Sequence, residues 1–323
     1  MLLILTAILM AAGPPHLQLR ELFHMARTTV AVEMSIIVSA YNARKALDVS
    51  MPLLFAHTVG SCELLVLLDA TVDDSLDVVV KHATHAFNTS VFTQVVVYKG
   101  EHALWEAAGE TALMRLSKAS RFFISVQPDQ LIHEKDWNVR LALPAERFRD
   151  VFAVSARCAH ALHGGNAIGR CGVKVFKPLE RSQRARLRGQ FFVRDTCNRG
   201  PLLLRADRVR ALNYFDFELY HMENSDHDLF CRAARHGWVV GLFVIDFETP
   251  AHLCTVCNGS MATGQEARER QAALAAIVQH REAVLQYRVG CFDSSYPRPR
   301  SDNRLIDHDG AAARHAPIMA VPG

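Results

Sequence analysis

The stretch Glu223-Asn224-Ser225-Asp226-His227-Asp228-Leu229-Phe230-Cys231-Arg232 sets two acids at the start of a helical pattern, shortly after the polar turn Asn198-Arg199-Gly200-Pro201. A carboxylate within ~2.6–3.2 Å of a hydroxyl can take its proton, which makes Asp226 a candidate general base. Asp226 is also a good N-cap for a helix running to His236, a role worth ~1 kcal/mol. Cap and base are compatible, because a carboxylate has two oxygens. Asp228 stands four residues before Arg232, the spacing that pairs side chains along a helix. In the turn, Gly200 permits unusual dihedrals and close backbone approach, and Arg199 offers a planar fork for phosphate. The plainer alternative is a turn leading into the apolar run Pro201–Leu204.

Upstream, two further acids close apolar runs: Asp69 after Leu64–Leu68, and Asp129 after Phe122–Val126 and Gln127-Pro128. A carboxylate at the C-terminal end of a strand can accept from a base N–H or a ribose hydroxyl, which suits Asp69. For Asp129 the plainer alternative is a solvated strand-end turn. Asp73 and Asp74 read as helix caps.

The elements that must carry these residues follow from hydrophobic period. Ser35–Val38, Leu64–Leu68, Gln94–Tyr98 and Phe122–Val126 are mostly apolar runs, as expected of strands buried on both faces. Helical patterns lie between them: Leu47, Met51, Leu54 and Phe55; Leu76, Val79, Val80 and Ala83; Leu104, Ala107, Ala108 and Leu113. Pro52 should kink the first helix or open a second. Strand, crossover helix and strand again predict a parallel sheet with right-handed connections. Beyond residue 151 the rhythm loosens: strands at Val151–Ser155, Phe191–Val193, Pro201–Leu204 and Val239–Ile245, short helices at Ala206–Leu212 and Asp228–His236, and a charged amphipathic helix over residues 264–286. No internal repeat is present.

Bulk properties narrow the class. At 323 residues, 50% hydrophobic and 21% charged, the composition is that of a globular α/β chain. A net charge of +3, with Arg181, Arg184, Arg186 and Arg188 as the one dense basic run, gives no reason to expect a nucleic-acid partner. Eight cysteines do not make a disulfide scaffold; Cys158 and Cys171 could pair, and a single Cys254-x-x-Cys257 is weak support for zinc. Met1–Ala12 is apolar but shorter than the ~20 residues of a membrane span. It has the length of a signal-peptide core without the preceding basic residues. Two glycosylation sequons leave cytoplasmic and secretory or Golgi-lumen settings both open.

The order and spacing of these segments resemble family-2-like glycosyltransferases of the glycosyltransferase A fold, a Rossmann-like nucleotide-sugar fold, over about residues 33–250. The resemblance implies a single α/β domain with a mostly parallel central sheet flanked by helices and a C-terminal helical extension. Its parts would be an N-terminal segment 1–31, a domain over 32–260 (nucleotide-sugar half 32–130, acceptor half 131–260), a helical extension 261–296 and a loosely ordered tail 297–323. It implies that Ala40, Tyr41, Asn42, Asp69 and Gln127 bind the nucleotide sugar, with Lys99, Trp105 and Glu106 near the sugar pocket. Asp129 falls where the family carries its Asp-x-Asp motif and would bind Mn²⁺ or Mg²⁺ on the donor diphosphate, with His252 as a further ligand. Asp226 would be the base; Asn198, Arg199, Gly200 and Asp228 would form the acceptor and phosphate loop. The partners would be a nucleotide diphospho-sugar and a hydroxyl acceptor on a glycan, lipid or protein.

Departures from the family pattern keep a second reading open. Leu68, Gln127-Pro128 and Ser225 replace residues that are often acidic, so a catalytically inactive nucleotide- or sugar-binding module is the alternative. A sugar nucleotidyltransferase would need a basic glycine-rich loop where Ser39-Ala40-Tyr41-Asn42 stands. His163-Gly164-Gly165 lacks the Gly-x-Ser-x-Gly elbow that would make it a hydrolase loop. Walker and GxGxxG motifs are absent, as is the Gln-x-x-Arg-Trp signature of processive synthases.

Overall fold

A strand such as Cys62–Leu68, buried at all seven positions, needs cover on both faces, and two separate cores supply it. The computed structural model describes residues 19–27, 31–89, 91–100, 103–161, 167–169, 187–218, 225–253 and 303–306. Its first half comprises β1 (Leu19–Ala26), β2 (Met34–Ala40), α1 (Arg44–His57), β3 (Cys62–Leu68), α2 (Ser75–Ala86), β4 (Phe92–Gly100), α3 (Trp105–Leu116) and β5 (Phe122–Ser125). The second half comprises β6 (Leu131–Ile132), α4 (Trp137–Arg147), β7 (Val151–Ser155), β8 (Cys158–His160), β9 (Ala167–Gly169), β10 (Gln190–Arg194), β11 (Thr196–Cys197), β12 (Leu202–Arg205), α5 (Ala206–Ala211), α6 (Ser225–Arg235), β13 (Val239–Phe243), β14 (Phe247–Glu248) and β15 (Asn303–Leu305).

Among the described residues the central sheet has ten strands in the order β1-β4-β3-β2-β5-β12-β7-β13-β10-β15. Strands β2, β3, β4, β5, β7, β13 and β15 point one way, and β1, β12 and β10 the other. The mostly parallel α/β sheet expected from the sequence is therefore present. Side-chain alternation divides each strand between the two cores. Ile36, Val38, Leu64 and Val66 face α1, α2 and α4, while Ile37, Leu65 and Leu67 face α3, α5 and α6. Gly109 brings α3 onto the sheet, since a Cβ there would lie 2.6 Å from Leu67 Cδ2.

Four local expectations are corrected. Pro52 neither ends nor splits α1: it lies on the exposed side of one continuous helix, where the carbonyl it leaves without an N–H partner can face solvent. The lead-in before residue 32 contributes β1, antiparallel to β4 at the sheet edge. Part of the tail contributes β15, antiparallel to β10, and Arg304 anchors it through two bonds of 2.7 and 2.8 Å to Asp150. Both strands satisfy edge groups of the sheet, a demand invisible in local sequence. The helix expected from Asp228 starts at Ser225, three residues earlier.

Cys158 and Cys231 each take part in a disulfide, and Cys62 and Cys197 are free and buried. The Met1–Ala12 segment, Cys171, the CxxC at 254–257, the 264–286 helix and Arg181, Arg184 and Arg186 lie outside the described residues. Among the described residues no helix is long and apolar enough to cross a membrane.

Candidate functional site

In an open parallel sheet, ligands settle beyond the C-terminal strand ends where strand order reverses. Here β3 and β4 follow on one side of β2 and β5 lies on the other, so that crevice opens between the ends of β2 and β5. Asp69 and the turn carrying Gln127 and Asp129 lie at this end, and Arg199 links it to the start of α6.

The β2 and β3 loops are laced together. Asn42 (φ 45°) receives the Val72 N–H on Oδ1 at 2.9 Å and donates its own N–H to Thr71 Oγ1 at 3.3 Å. Thr71 Oγ1 in turn donates to the Ala40 carbonyl at 3.1 Å. Lys99 Nζ donates to the Thr71 carbonyl at 3.0 Å. Tyr41 is half-buried in the same turn. Asp69, only 6% exposed, accepts from the Leu104 and Trp105 amides at 2.7 and 2.9 Å. Those amides open α3 and have no partner within the helix, so Asp69 caps α3 from across the sheet. Trp105 carries φ 65°, a conformation rare outside glycine, and is held there by that bond.

Glu106, one residue further, is the hub. Its Oε1 accepts from Gln127 Nε2 at 3.3 Å, and its Oε2 pairs with Arg199 Nη1 at 2.8 Å. Glu110, one turn on, accepts from Ser125 Oγ and lies 3.7 Å from Arg199 Nε. Arg199 Nη2 donates to Ser225 Oγ at 2.7 Å, and its guanidinium lies 4.6 Å from the centroid of the Phe215 ring. One buried arginine thus joins α3 of the first half of the chain to α6 of the second. Burial pushes the Glu110 carboxyl up to about 7, with Arg199 pulling it down and Glu106 and Asp226 adding to the rise. Burial also works against the Arg199 charge, but Glu106, Glu110 and Asp226 outweigh it and hold the guanidinium ionised.

At the end of β5, Gln127 receives a bond on Oε1 from Arg157 Nη1 at 3.4 Å. The Asp129 carboxyl is raised to about 6, chiefly by burial, against its own backbone hydrogen bond and Arg157, with Glu106 adding to the rise. Asp226 lies in the first turn of α6, with Oδ1 on the His227 N–H at 2.9 Å. Because the helix already begins at Ser225, Asp226 is not its N-cap. His227 Nε2 meets His160 Nε2 at 3.1 Å, beside Asp226. The His160 imidazole is lowered by burial and by His227, against Asp226 and Asp195.

Three residues of the expected loop have partners within the protein. Arg199 does not stand out as a phosphate fork, since its charge is committed to Glu106, Glu110 and Ser225 inside the protein. Gly200 (φ 71°) does permit close approach, but to Gln130: a Cβ there would lie 2.1 Å from Gln130 Nε2. Asn198 is tied by its backbone to Cys158 and Ser155. Asp228 makes the expected structural pair with Arg232 at 2.8 Å. His252 is exposed beyond β14. The metal expectation for Asp129 and His252 finds no matching site: among the described residues no group of three or more His, Cys, Asp or Glu side chains could hold a metal ion. In Val126–Gln130, Asp129 is the only carboxylate, and the nearby Glu106 is already paired with Arg199. That donor set does not fit a divalent cation.

Glu110, Arg157 and His160 were not singled out by sequence reading. Glu106 and Glu110 share a helix face at i, i+4, a signal that was available. Arg157 and His160 carry no local signal at all.

No protein-family model matches the chain, and no curated protein matches it in sequence. Solved structures do match in fold. A mannosyltransferase from Pyrobaculum calidifontis, in complex with GDP-Man and Mn²⁺, superposes with a TM-score of 0.51 at 14% identity, covering 84% of this chain and 68% of its own. GalNAc-T7 with UDP, GalNAc and Mn²⁺ superposes with a TM-score of 0.50 at 11% identity over 83% of this chain. This chain spans about half (53%) of the GalNAc-T7 chain. The fold is that of the glycosyltransferase A class.

Proposed function

We propose that the chain is a glycosyltransferase that moves a single sugar from a nucleotide diphospho-sugar to a hydroxyl of a glycan, lipid or protein. The observation that carries this reading is the convergence of Asp69, Asp129 and Asp226 on one hub, Glu106 with Arg199, at the switch point of a parallel sheet. The Ala40–Asn42 turn and the β5 end, with Gln127, flank the crevice in which the nucleoside and diphosphate would lie. Asp69 shapes that crevice by fixing the start of α3.

In the proposed reaction Asp226 takes the acceptor's hydroxyl proton as its oxygen attacks the anomeric carbon. The bond from that carbon to the diphosphate breaks, and the nucleoside diphosphate leaves with the electron pair. Attack from the opposite face inverts the configuration. Positioning and fixed charge would supply most of the acceleration.

The test is calorimetric titration with UDP and GDP, paired with mass spectrometry of transfer products across a donor panel. Replacing Asp226→Asn should lower transfer by about 10²–10⁴-fold, the usual worth of a general base, while nucleotide affinity stays at the wild-type value. A fall in both, with a lower melting temperature, would make Asp226 structural. A second reading, a binding module without turnover, is favoured by Gln127-Pro128 and by the neutral Ser225 that meets Arg199. Tight nucleotide binding with no transfer to any acceptor would select it.

A further inference from the structure

Resting on that reading, we propose that the Arg157 guanidinium receives the donor diphosphate, so that nucleotide binding needs no divalent cation. Arg157 occupies the turn between β7 and β8, across the sheet from the switch point. Its backbone N–H donates to Ser155 Oγ at 3.0 Å, and its Nη1 donates to Gln127 Oε1 at 3.4 Å. Its charge also acts on Asp129 and Glu106. A Cβ at Gly169 would lie 2.5 Å from the Arg157 carbonyl oxygen, so β9 backs the turn at close range. The guanidinium is therefore held over the end of β5, where a diphosphate in the crevice would rest.

The chemistry of that cluster favours an anion over a second cation. Asp129, the Gln127 carboxamide and a Glu106 carboxylate already engaged by Gln127 and Arg199 give a poor oxygen set for a hard dication, which takes about six oxygens. An adjacent guanidinium repels a dication through low-dielectric surroundings. The same guanidinium carries five N–H donors in a plane, a geometry that matches phosphate oxygens two at a time. A fixed positive charge there also stabilises a diphosphate as it departs, without metal.

The experiment is titration of the full chain with UDP and GDP, in EDTA and again with Mn²⁺. Equal affinity in both conditions, and a loss of at least about tenfold in Arg157→Met with the melting temperature unchanged, is the expected result. Because Arg157→Met could disturb the β7–β8 turn, Asp129→Asn provides a second arm. It should bind nucleotide in EDTA at least as tightly as wild type, since it removes a competing anion and leaves the guanidinium. Binding that appears only with Mn²⁺, or that Asp129→Asn abolishes, overturns the inference and leaves the proposed function standing. Metal-free binding indifferent to Arg157→Met overturns the role of Arg157. No binding of either nucleotide under any condition sinks the proposed function and this inference with it.

Discussion

The two halves of the central sheet are held together differently. From β2 to β5 the strands are parallel, follow one another through crossover helices, and rim loops such as Asn42–Val72 and Asp69–Trp105 are tied by short hydrogen bonds to backbone amides. From β12 to β15 parallel and antiparallel neighbours are mixed, and arginines span the gaps. Arg205 and Arg208 reach the carbonyls of residues 145–151, Arg232 reaches those of Leu212 and Tyr214, and Arg304 reaches Asp150. A regular half can rely on the strand ladder to place its loops. An irregular half has more carbonyls and acids left over, and long planar donors satisfy them. Arg199 sits where the two schemes meet.

Breaking that junction should have the largest effect. Arg199→Ala leaves Glu106 and Glu110 without their cation in a buried site, a loss of ~3–5 kcal/mol for a broken buried pair. Urea melts should show the drop, with Glu106→Gln/Glu110→Gln in the same background restoring part of it. If Arg199→Ala melts like wild type, the halves are not joined through this residue. A smaller loss is expected from Gly200→Ala, because its Cβ would collide with Gln130 and its backbone has φ 71°. About 1–3 kcal/mol is the usual cost of such crowding. Adding Gln130→Ala should recover the steric part and not the conformational part.

A further effect concerns pH. With the Glu110 carboxyl raised to about 7, the folded state keeps a proton that the unfolded chain has already released near the ordinary value of 4.5. That group's contribution is full below about 4.5 and is lost as pH rises through about 7. Stability of wild type relative to Glu110→Gln should therefore fall between pH 5 and pH 8. A difference that stays flat across that range would mean Glu110 is ionised throughout in the folded protein.

Legibility followed the same division. The runs at 35–38, 64–68, 94–98 and 122–126 announced their strands because a strand covered on both faces must be apolar at nearly every position. β1 and β15 escaped notice, since an edge strand is defined by a partner remote in sequence. Asp228 and Arg232 were readable as a pair because i, i+4 spacing places them together on any helix. Asp226 was misplaced as a cap because helix ends depend on context that begins at Ser225. Arg199 and Gly200 were noticed for their chemistry, but their partners Glu106, Glu110 and Gln130 come from other elements.

What local sequence determined was the period and type of the elements, and hence a parallel sheet with its acids at the strand ends. Those are consequences of backbone geometry and apolar spacing within a few residues. Tertiary structure alone decided which charges face one another: Arg199 between α3 and α6, and Arg157 over Asp129. A buried charge takes its role from its nearest counter-charge, and that neighbour lies 28 to 93 residues away in the chain.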